Sequence, residues 1–533
     1  MTGIDRASVD NPVRPRIQRS VVAALVLTLV IGSILIAAGF DVSRSRPAFA
    51  RAGGMAQTPP MGLLIRGPGE CGASENLVTT TAELVVSSGL RAAGYQFLNL
   101  EDCWMAGRRG VDGRLMADPV TFPHGIAALA DRLHRAEFRL GLYADAGATT
   151  RNGRPGSLGQ EELDAQTFAS WGVDYLAYDN WSSLDRVIAG QDLVRYSRMR
   201  HALAGTGHPA VFAVAQRDSA EPWTWAPQAG QLWRIGADTA DRWDNVRATI
   251  RRDLPLHPYA GPGAWNDPGP LDIGGGGMTD TEYRTQLSMW SMLAAPLIIG
   301  TDLGRIPAAG LEMLTNREVI AIDQDLLGQQ ATLVRDDQGQ MIFVKPLANG
   351  DTAVALYNET DIGAQIATSA ADLRLDKAPG YLLRDVWRAV TTETAGRIQA
   401  YVPPHGTVLY RVSAGGHGAR SRSATALTIE AAGTGGEGPA EQNVTVTLSN
   451  LGRLPVRTAS VALSGPSGWQ VTPTGPSAAA VVAPGDEFTT TWRVRTPAGI
   501  PAGPADLRAL GQFSYGRRGW ETVTSFGQLS AGP

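Results

Sequence analysis

The fold is decided by Arg139-Leu-Gly-Leu-Tyr143, by Glu161-Glu-Leu-Asp-Ala-Gln-Thr-Phe-Ala-Ser-Trp171 and by Val173-Asp-Tyr-Leu-Ala-Tyr178. The first and third segments are short and apolar, as buried strands are, while the second is amphipathic and long enough for a helix. Parallel strands need a crossover connection, which is usually a helix, so this order predicts one β-α-β unit.

The same unit recurs over residues 61–302 and predicts eight strands. The predicted strands are residues 60–64, 95–100, 139–143, 173–178, 210–215, 231–235, 264–265 and 296–299. Eight strands alternating with helices, over a span near the about 250 residues typical of such folds, predict a (β/α)8 TIM barrel. A doubly wound sheet alternates in the same way, but no G-x-G-x-x-G follows the first strand.

Two all-β parts follow the barrel. Beyond residue 331, alternating runs at 341–345, 353–357 and 407–412 are separated by turns, which predicts an antiparallel β-domain. After a Gly/Arg/Ser-rich linker, short strands at 444–448, 460–463, 489–494 and 513–515 predict an immunoglobulin-like β-sandwich. The α/β barrel is therefore predicted at 55–330, the β-domain at 331–413, the linker at 414–424 and the sandwich at 425–533.

The first 50 residues have the pattern of an export signal. Arg14, Arg16 and Arg19 precede an unbroken apolar run at residues 21–40, which is long enough to cross a bilayer as a helix. Ala48-Phe49-Ala50 offers a small-residue cleavage site. Residues 1–50 are predicted to be a cleaved signal peptide or a retained single-span membrane anchor, and either one places the remainder outside the cytoplasm. A buried core helix is the third interpretation, but nothing upstream would pack on it.

Net charge and cysteine content indicate which binding partners and which state of the cysteines to expect. The formal net charge is -4 over 533 residues, and no basic stripe is interleaved with aromatic residues, so the sequence gives no reason to expect nucleic acid as a partner. Cys71 and Cys103 are the only two cysteines. In an oxidising compartment such a pair favours a disulfide over a metal site, and two free thiols are the alternative.

Carboxylates follow six of the eight predicted strands. Barrel enzymes carry their chemistry where strands end, because the loops after the strands form one rim. The polar residues at these ends are Glu101, Asp102, Tyr143, Asp145, Asp179, Gln216, Arg234, Asp238, Asp267 and Asp302. A ring of acids on an otherwise apolar barrel indicates a functional site, although any single Asp at a strand–helix junction also fits a helix N-cap.

Three chemistries use such a ring of acids. Metal binding is one, and the lack of His at these ends disfavours zinc while leaving an all-oxygen site open. Binding of sugar hydroxyls without catalysis is the second. Glycoside hydrolysis is the third, and it needs one carboxylate as nucleophile and one carboxylic acid to protonate the leaving oxygen.

Twelve short blocks of residues follow one another along the predicted barrel. The blocks are Thr58-Pro-Pro-Met-Gly62, Asp102-Cys-Trp-Met105, Met116-Ala-Asp-Pro119, Phe122-Pro-His-Gly125, Gly141-Leu-Tyr-Ala-Asp145, Gly153-Arg-Pro-Gly-Ser157, Trp171-Gly-Val-Asp-Tyr-Leu176, Tyr178-Asp-Asn180, Gly261-Pro-Gly263, Trp265-Asn-Asp-Pro268, Ala294-Ala-Pro-Leu297 and Ile322-Asp-Gln-Asp325. Through them, residues 57–330 resemble glycoside hydrolase family 27, the α-galactosidases and α-N-acetylgalactosaminidases. Residues 331–412 resemble the β-domain that follows the barrel in that family, and residues 425–533 resemble a sandwich module of bacterial α-galactosidases.

The resemblance implies roles for individual residues. Asp179 matches the family's nucleophile in a retaining mechanism, and Asp238 matches its acid/base. The predicted substrate-binding residues are Glu101, Asp102, Tyr143, Gln216, Arg234 and Asp267. Cys71 and Cys103 match a family disulfide that braces the first two loops.

The departures from the family pattern concentrate around the sugar. Leu63 stands where the family has a Trp, Glu101 where it has an Asp, and Ala177 where it has a Lys. The other replaced positions are Gln216, Arg217 and Gly269. We expect these positions to converge on one wall of the pocket, and we expect a sugar other than plain galactose, such as a pentopyranoside, a furanoside or a substituted galactoside. A second family disulfide is absent, since Arg151 and Trp181 occupy its positions.

The sequence therefore predicts an exported retaining α-glycoside hydrolase that acts on a carbohydrate. A plain α-galactosidase with an unusual pocket and a non-catalytic carbohydrate-binding protein are the alternatives. No cofactor and no metal are expected, and membrane contact is expected only through an uncleaved N-terminal segment. The exact sugar, the linkage, the role of the sandwich and the oligomeric state are left open.

Overall fold

A computed structural model describes most of the chain beyond its N-terminal segment. The described residues are 54–69, 71–181, 191–215, 221–237, 240–415, 425–431, 441–497, 503–515 and 520–531. The predicted signal or anchor at 1–50 and nearly all of the predicted linker lie outside the described residues. Among the residues described, no helix has the length and apolar character needed to span a membrane.

Eight parallel strands form the first sheet, as the sequence predicts. They are β1 Met61–Ile65, β2 Phe97–Leu100, β3 Arg139–Asp145, β4 Tyr175–Asp179, β5 Val211–Val214, β6 Leu232–Arg234, β7 Trp265–Asp267 and β8 Leu297–Ile299. Neighbouring strands follow the order β7-β6-β5-β4-β3-β2-β1-β8. Just after β7, Leu271 forms a parallel bridge with Ile299 of β8, which brings the two edges of the sheet together. The curled sheet is that of a (β/α)8 barrel, and the fold prediction is confirmed.

Helices follow most of the strands along the chain and cover the outside of the sheet. They are α1 Glu75–Ser87, α2 Leu90–Ala93, α3 Gly125–Arg135, α4 Glu161–Ser170, α5 Gln191–Thr206, α6 Trp243–Asp253, α7 Asp280–Met292, α8 Ala308–Leu314 and α9 Arg317–Asp323. Helix α3 shows why they form: Ile126, Leu129, Ala130 and Leu133 are buried at helical spacing, so one face packs on the sheet. Helix α7 begins with a capping box, in which Thr279 and Glu282 bond each other's backbone N–H groups.

Two antiparallel sheets make up the β-domain after the barrel. Its strands are β9 Thr332–Asp337, β10 Gln340–Pro346, β11 Thr352–Asn358, β12 Ala364–Ser369, β13 Tyr381–Asp385, β14 Val390–Thr394, β15 Arg397–Val402 and β16 Thr407–Ala414. Six strands form one sheet in the order β14-β13-β16-β11-β10-β9, and β12 pairs with β15. Alternate residues such as Val354 and Leu356 of β11 enter the core between these sheets.

The C-terminal part is a β-sandwich, as predicted. Its strands are β17 Thr425–Ala431, β18 Glu441–Asn450, β19 Val456–Ser464, β20 Gln470–Pro473, β21 Ala478–Val482, β22 Glu487–Arg495, β23 Gly503–Tyr515 and β24 Trp520–Ala531. They form two four-stranded sheets, β17-β18-β22-β20 and β21-β19-β23-β24. Val444, Val446 and Leu448 alternate inward on β18 and pack in the shared core with Trp492 of β22. The domain boundaries given above remain predictions.

Candidate active site

The alternation of side chains along β4 decides which residues face the inside of the barrel. Leu176 and Tyr178 pack in the main core under the helices, whereas Tyr175 and Ala177 belong to a separate cluster within the strands. Asp179 continues the second series, because every other residue of a strand points to the same face. The predicted nucleophile therefore stands on the interior face, at the carboxyl end of its strand.

Strand β3 sets two polar side chains beside Asp179. The register pairs Tyr143 with Ala177 and Asp145 with Asp179, so these four residues share the interior face. The Tyr143 hydroxyl donates a hydrogen bond of 2.9 Å to Asp179 Oδ2. The Asn180 backbone N–H donates to Asp179 Oδ1 over 2.8 Å. Asp179 is only 6% exposed. Burial and the nearby Asp179 charge raise the pKa of Tyr143 far above its usual value, so Tyr143 remains a hydrogen-bond donor.

Strands β6 and β7 contribute a charged pair to the same rim. Their register aligns Arg234 with Asp267. Arg234 Nε lies 3.8 Å from Asp267 Oδ2, and both side chains are largely buried. Asp267 Oδ1 also accepts a hydrogen bond of 2.8 Å from the Gly269 N–H. The rim therefore carries a fixed guanidinium next to a fixed carboxylate, both of which suit sugar hydroxyls.

Asp102 is buried and bonded to the loop that follows β3. Its Oδ1 accepts from the Cys103 N–H at 2.7 Å. Its Oδ2 accepts from the backbone N–H and the side-chain amide of Asn152, at 3.2 and 3.1 Å. A disulfide joins Cys71 to Cys103 with the Cα atoms 5.1 Å apart, as predicted for this pair. Asp102 thus links the second rim loop to the third, and the disulfide links the second to the first.

A cavity of about 60 Å³ opens among the strand ends. Its lining residues are Leu64, Asn99, Leu100, Glu101, Tyr143, Tyr175, Ala177, Ala213, Ala215, Arg234, Asp267, Pro270 and Ile298. Four of the predicted site residues therefore lie around one cavity, namely Glu101, Tyr143, Arg234 and Asp267. Asp179 adjoins it through its bond to Tyr143, while Asp102 is not a lining residue. Glycine at Gly141 makes room for Asn99, because a Cβ there would lie 1.9 Å from Asn99 Oδ1.

Only part of the remodelled set converges on this cavity. Glu101 and Ala177 line it, and Glu101 Oε1 lies 3.7 Å from Arg66 Nη2. The prediction for Leu63 is wrong: Leu63 is buried in the main core, and the next residue, Leu64, lines the cavity instead, because side chains alternate along β1. Gly269 does not line it either and contributes its backbone N–H to Asp267.

The structure leaves three predicted site residues untested and shows another role for a fourth strand-end residue. Asp238, Gln216 and Arg217 lie outside the described residues, so their roles remain predictions. Asp302, one of the strand-end carboxylates, is exposed, and its Oδ1 caps a short helical turn by accepting from the Gly304 N–H at 3.0 Å. The helix-cap interpretation therefore applies to Asp302.

Asp145 is a site residue whose role the sequence did not reveal. It is fully buried, and its two carboxylate oxygens accept from the Gly147 and Trp181 N–H groups at 2.7 and 2.8 Å. Burial raises its pKa to about 6, against the lowering effect of these two bonds. Asp145 thus joins the loop after β3 to the loop after β4, directly beside Asp179. Its place at a strand end was a visible signal, but its partners are backbone groups that no sequence pattern names.

The described residues contain no group of three or more His, Cys, Asp or Glu side chains arranged to hold a metal ion. The rim acids instead accept hydrogen bonds from backbone N–H groups, a hydroxyl and an amide. The expectation that the protein needs neither metal nor cofactor remains a prediction.

Three parts of the chain match known protein families. Residues 66–325 match the family described as "Alpha galactosidase A". Residues 337–412 match the "Alpha galactosidase C-terminal beta sandwich domain", and residues 438–513 match the "NPCBM-associated, NEW3 domain of alpha-galactosidase". The matches fall on the barrel, the β-domain and the C-terminal sandwich in turn.

Individual relatives agree with these matches. An α-galactosidase of Cyamopsis tetragonoloba is 39% identical over 67% of this chain and 86% of its own length. The crystal structure of α-galactosidase I from Mortierella vinacea is similar with a TM-score of 0.65 at 31% identity, over 68% of this chain and 99% of that one. The structure of an α-galactosidase from Saccharomyces cerevisiae with raffinose has a TM-score of 0.63 at 28% identity, over 68% and 98% of the two chains.

Proposed function

Because the chain belongs to the α-galactosidase family, we propose that it is a retaining α-glycoside hydrolase with Asp179 as nucleophile and Asp238 as acid/base. That the protein is a glycosidase follows from the family itself; the mechanism, the sugar and the site of action are the proposal. The observation that carries it is the geometry of Asp179, buried on the interior face at a strand end and bonded to Tyr143 at 2.9 Å beside the strand-end cavity.

The proposed reaction has two displacements at the anomeric carbon. In the first, an Asp179 carboxylate oxygen bonds to that carbon, the glycosidic C–O bond breaks, and the carboxylic acid of Asp238 gives its proton to the leaving oxygen. In the second, water attacks the same carbon, the bond to Asp179 breaks, and the water proton passes to Asp238. Each displacement inverts the carbon, so the product keeps the configuration of the substrate.

Described residues hold Asp179 ready for this attack. The donors Tyr143 Oη and Asn180 N–H occupy one oxygen each, which fixes the carboxylate plane and stabilises its ionised form. Such preorganisation lowers the barrier because the attacking group needs no reorientation in the transition state. In this proposal Arg234, Asp267 and Glu101, which line the cavity, bind sugar hydroxyls.

We further propose that the sugar differs from plain galactose. Ala177 and Glu101 both line the cavity, at positions where the family has Lys and Asp. An alanine offers no hydrogen bond, and a missing charge-assisted bond costs about 1.5–3 kcal/mol. The extra methylene of Glu101 also changes the space left for an exocyclic group on the sugar. A pentopyranoside, a furanoside or a substituted galactoside fits these changes.

The alternative of a non-catalytic sugar-binding protein is not supported, since the chain belongs to the α-galactosidase family. The replaced positions that line the cavity, Glu101 and Ala177, bear on which sugar is bound. The retained Asp179, Tyr143 and Arg234 favour an enzyme, because a scaffold without catalysis has no need to keep them.

We propose that the protein acts outside the cytoplasm, secreted or held by its N-terminal segment. The disulfide between Cys71 and Cys103 supports an oxidising compartment. The apolar run at residues 21–40 supports export.

A panel of aryl glycosides tests the proposed specificity. The unmodified protein is expected to cleave an aryl α-galactoside poorly and another glycoside of the panel much faster. The double substitution Glu101→Asp with Ala177→Lys is expected to move activity toward the galactoside, because it restores the two hydroxyl-binding groups. A kcat/KM above roughly 10⁴ M⁻¹s⁻¹ on the α-galactoside, within the range of ordinary enzymes, would leave a plain α-galactosidase instead. No hydrolysis of any member of the panel would contradict the proposed mechanism at Asp179 and Asp238.

A further inference from the structure

The rim carries an exposed aromatic ring directly after the proposed nucleophile. Trp181 is two residues beyond Asp179 and is 39% exposed. Arg151, which is exposed on the loop after β3, places its guanidinium carbon 4.9 Å from the centre of the Trp181 ring. These are the two positions at which the resemblance placed a missing disulfide, so a cation–π contact now joins the two loops.

Hydrogen bonds to two buried acids position the backbone at both members of this pair. The Trp181 N–H donates to the buried Asp145, which fixes the backbone under the ring. The neighbour of Arg151, Asn152, donates twice to the buried Asp102. Asp145 and Asp102 are themselves part of the rim. The backbone at Trp181 and next to Arg151 is therefore held relative to the strand ends, and so to Asp179.

The position of the cavity indicates what this pair would contact. The cavity is lined by the barrel strands themselves, through Tyr175, Ala177 and Ala213, so a sugar bound there has its leaving group on the side of the rim loops. Trp181 and Arg151 stand on those loops. A Trp side chain offers a large, rigid, amphipathic surface at low entropic cost, which suits the face of a sugar ring.

We propose that Trp181, backed by Arg151, binds the leaving group of the substrate, and that this leaving group is a sugar ring of an oligosaccharide. The proposal rests on the proposed function, since it assumes hydrolysis at Asp179. Binding energy gained on the leaving group is used to reach the transition state, so Trp181 should act mainly on the first displacement.

Two substrates with the same reacting sugar separate this role from a structural one. An oligosaccharide has a sugar as leaving group, whereas the corresponding glycosyl fluoride has a single atom. The ratio of kcat/KM for these two substrates reports the first displacement and cancels effects on overall folding and on the amount of active protein. Trp181→Ala is expected to lower this ratio at least about 10-fold, the usual effect of removing an aromatic contact at the centre of a binding surface.

Three further variants serve as controls. Trp181→Phe keeps an aromatic ring and should hold the ratio within about 3-fold of the unmodified protein. Trp520→Ala removes a 69% exposed Trp of the C-terminal sandwich and should leave the ratio unchanged. Arg151→Cys with Trp181→Cys joins the two loops covalently without the ring, and the ratio should still fall at least about 10-fold.

The outcomes decide whether Trp181 binds the leaving group or only links the two loops. A ratio that stays within about 3-fold in Trp181→Ala overturns the proposal. So does a cysteine pair that restores the ratio of the unmodified protein, because joining the loops is then the whole role. If the unmodified protein hydrolyses neither substrate, the proposed function fails separately. Calorimetry then measures the affinity of the oligosaccharide for the unmodified protein and for Trp181→Ala. Equal affinities would mean that Trp181 does not contact the sugar and would overturn the proposal.

Discussion

Two regions of this molecule that hold buried acids can be compared, and the first of them borders the strand-end cavity. At the rim, Asp145 and Asp179 stand at the ends of β3 and β4 and accept mostly from backbone N–H groups. The second region, which we call the seam, consists of Asp253, Asp323, Gln330 and Lys345, where the barrel helices meet the start of the β-domain. All four seam side chains are almost fully buried.

At the seam, hydrogen bonds come from side chains, and burial shifts the pKa values of the acids. Gln330 donates to Asp253 Oδ1 at 3.0 Å, and Lys345 donates to the Ser291 carbonyl at 2.7 Å. Burial raises the pKa of Asp253 to about 7. Burial also raises the pKa of Asp323 and lowers that of Lys345, while each charge partly offsets the shift of the other. The pKa shift at the seam is thus at least as large as the one at Asp145.

The comparison shows that a perturbed carboxyl does not by itself mark an active site. Structural networks perturb pKa values too. What sets the rim apart is the alignment of Tyr143, Asp145, Ala177 and Asp179 on one interior face, next to a cavity that holds a guanidinium. Rim acids should therefore control turnover, and seam acids should control stability.

The largest expected effect comes from removing the nucleophile. Asp179→Asn should lower kcat on the best glycoside by more than about 10⁴-fold, because the loss of a triad nucleophile costs an amount of that order in other enzymes. Asp253→Asn, the matched change at the seam, should keep kcat within about 3-fold. Steady-state kinetics on both variants checks this pair. Comparable losses of kcat in the two variants would contradict the different roles given to rim and seam acids.

A smaller effect, on stability, is expected from Asp253→Asn. The folded-state pKa of Asp253, about 7, lies above the unfolded value of about 3.9. The neutral carboxyl therefore contributes stability that is fully present below about pH 4 and is lost as the pH rises through 7. Asn keeps the neutral form at every pH. Relative to the unmodified protein, the variant should gain up to about 4 kcal/mol between pH 4 and pH 8.

Thermal unfolding midpoints of the two proteins, measured side by side from pH 4 to pH 8, check this expectation. The difference between the midpoints should shift in favour of the variant as the pH rises. A difference that stays constant with pH would mean that Asp253 is ionised in the folded state and would contradict the account of the seam.

The sequence predicted the fold better than it predicted the site. Short apolar runs punctuated by loops located all eight barrel strands, and amphipathic character located α4 within about one residue of its observed ends. Even β7, Trp265–Asp267, was predicted at residues 264–265 from a weak pattern. These features are local in the chain or follow from the repeat.

The errors and omissions concern contacts between distant segments. Leu63 was assigned to the pocket because of its place after Gly62, but which face it takes depends on the pairing of β1 with its neighbours. The contact of Arg151 with Trp181, and that of Arg66 with Glu101, join separate loops and have no sequence signature. The seam was missed for the same reason, since Gln330 and Asp253 meet only in the fold.

The central claim is that Asp179 forms a covalent glycosyl intermediate. The probe is the sugar of the best substrate with fluorine in place of its 2-hydroxyl group and with an activated leaving group at the anomeric carbon. Incubation with this probe should slow the second displacement and let the intermediate accumulate. Mass spectrometry of the digested protein should then find one added fluorosugar, on the peptide that contains Asp179. An adduct on another carboxylate, or turnover that inverts the anomeric configuration and leaves no adduct, would contradict the account.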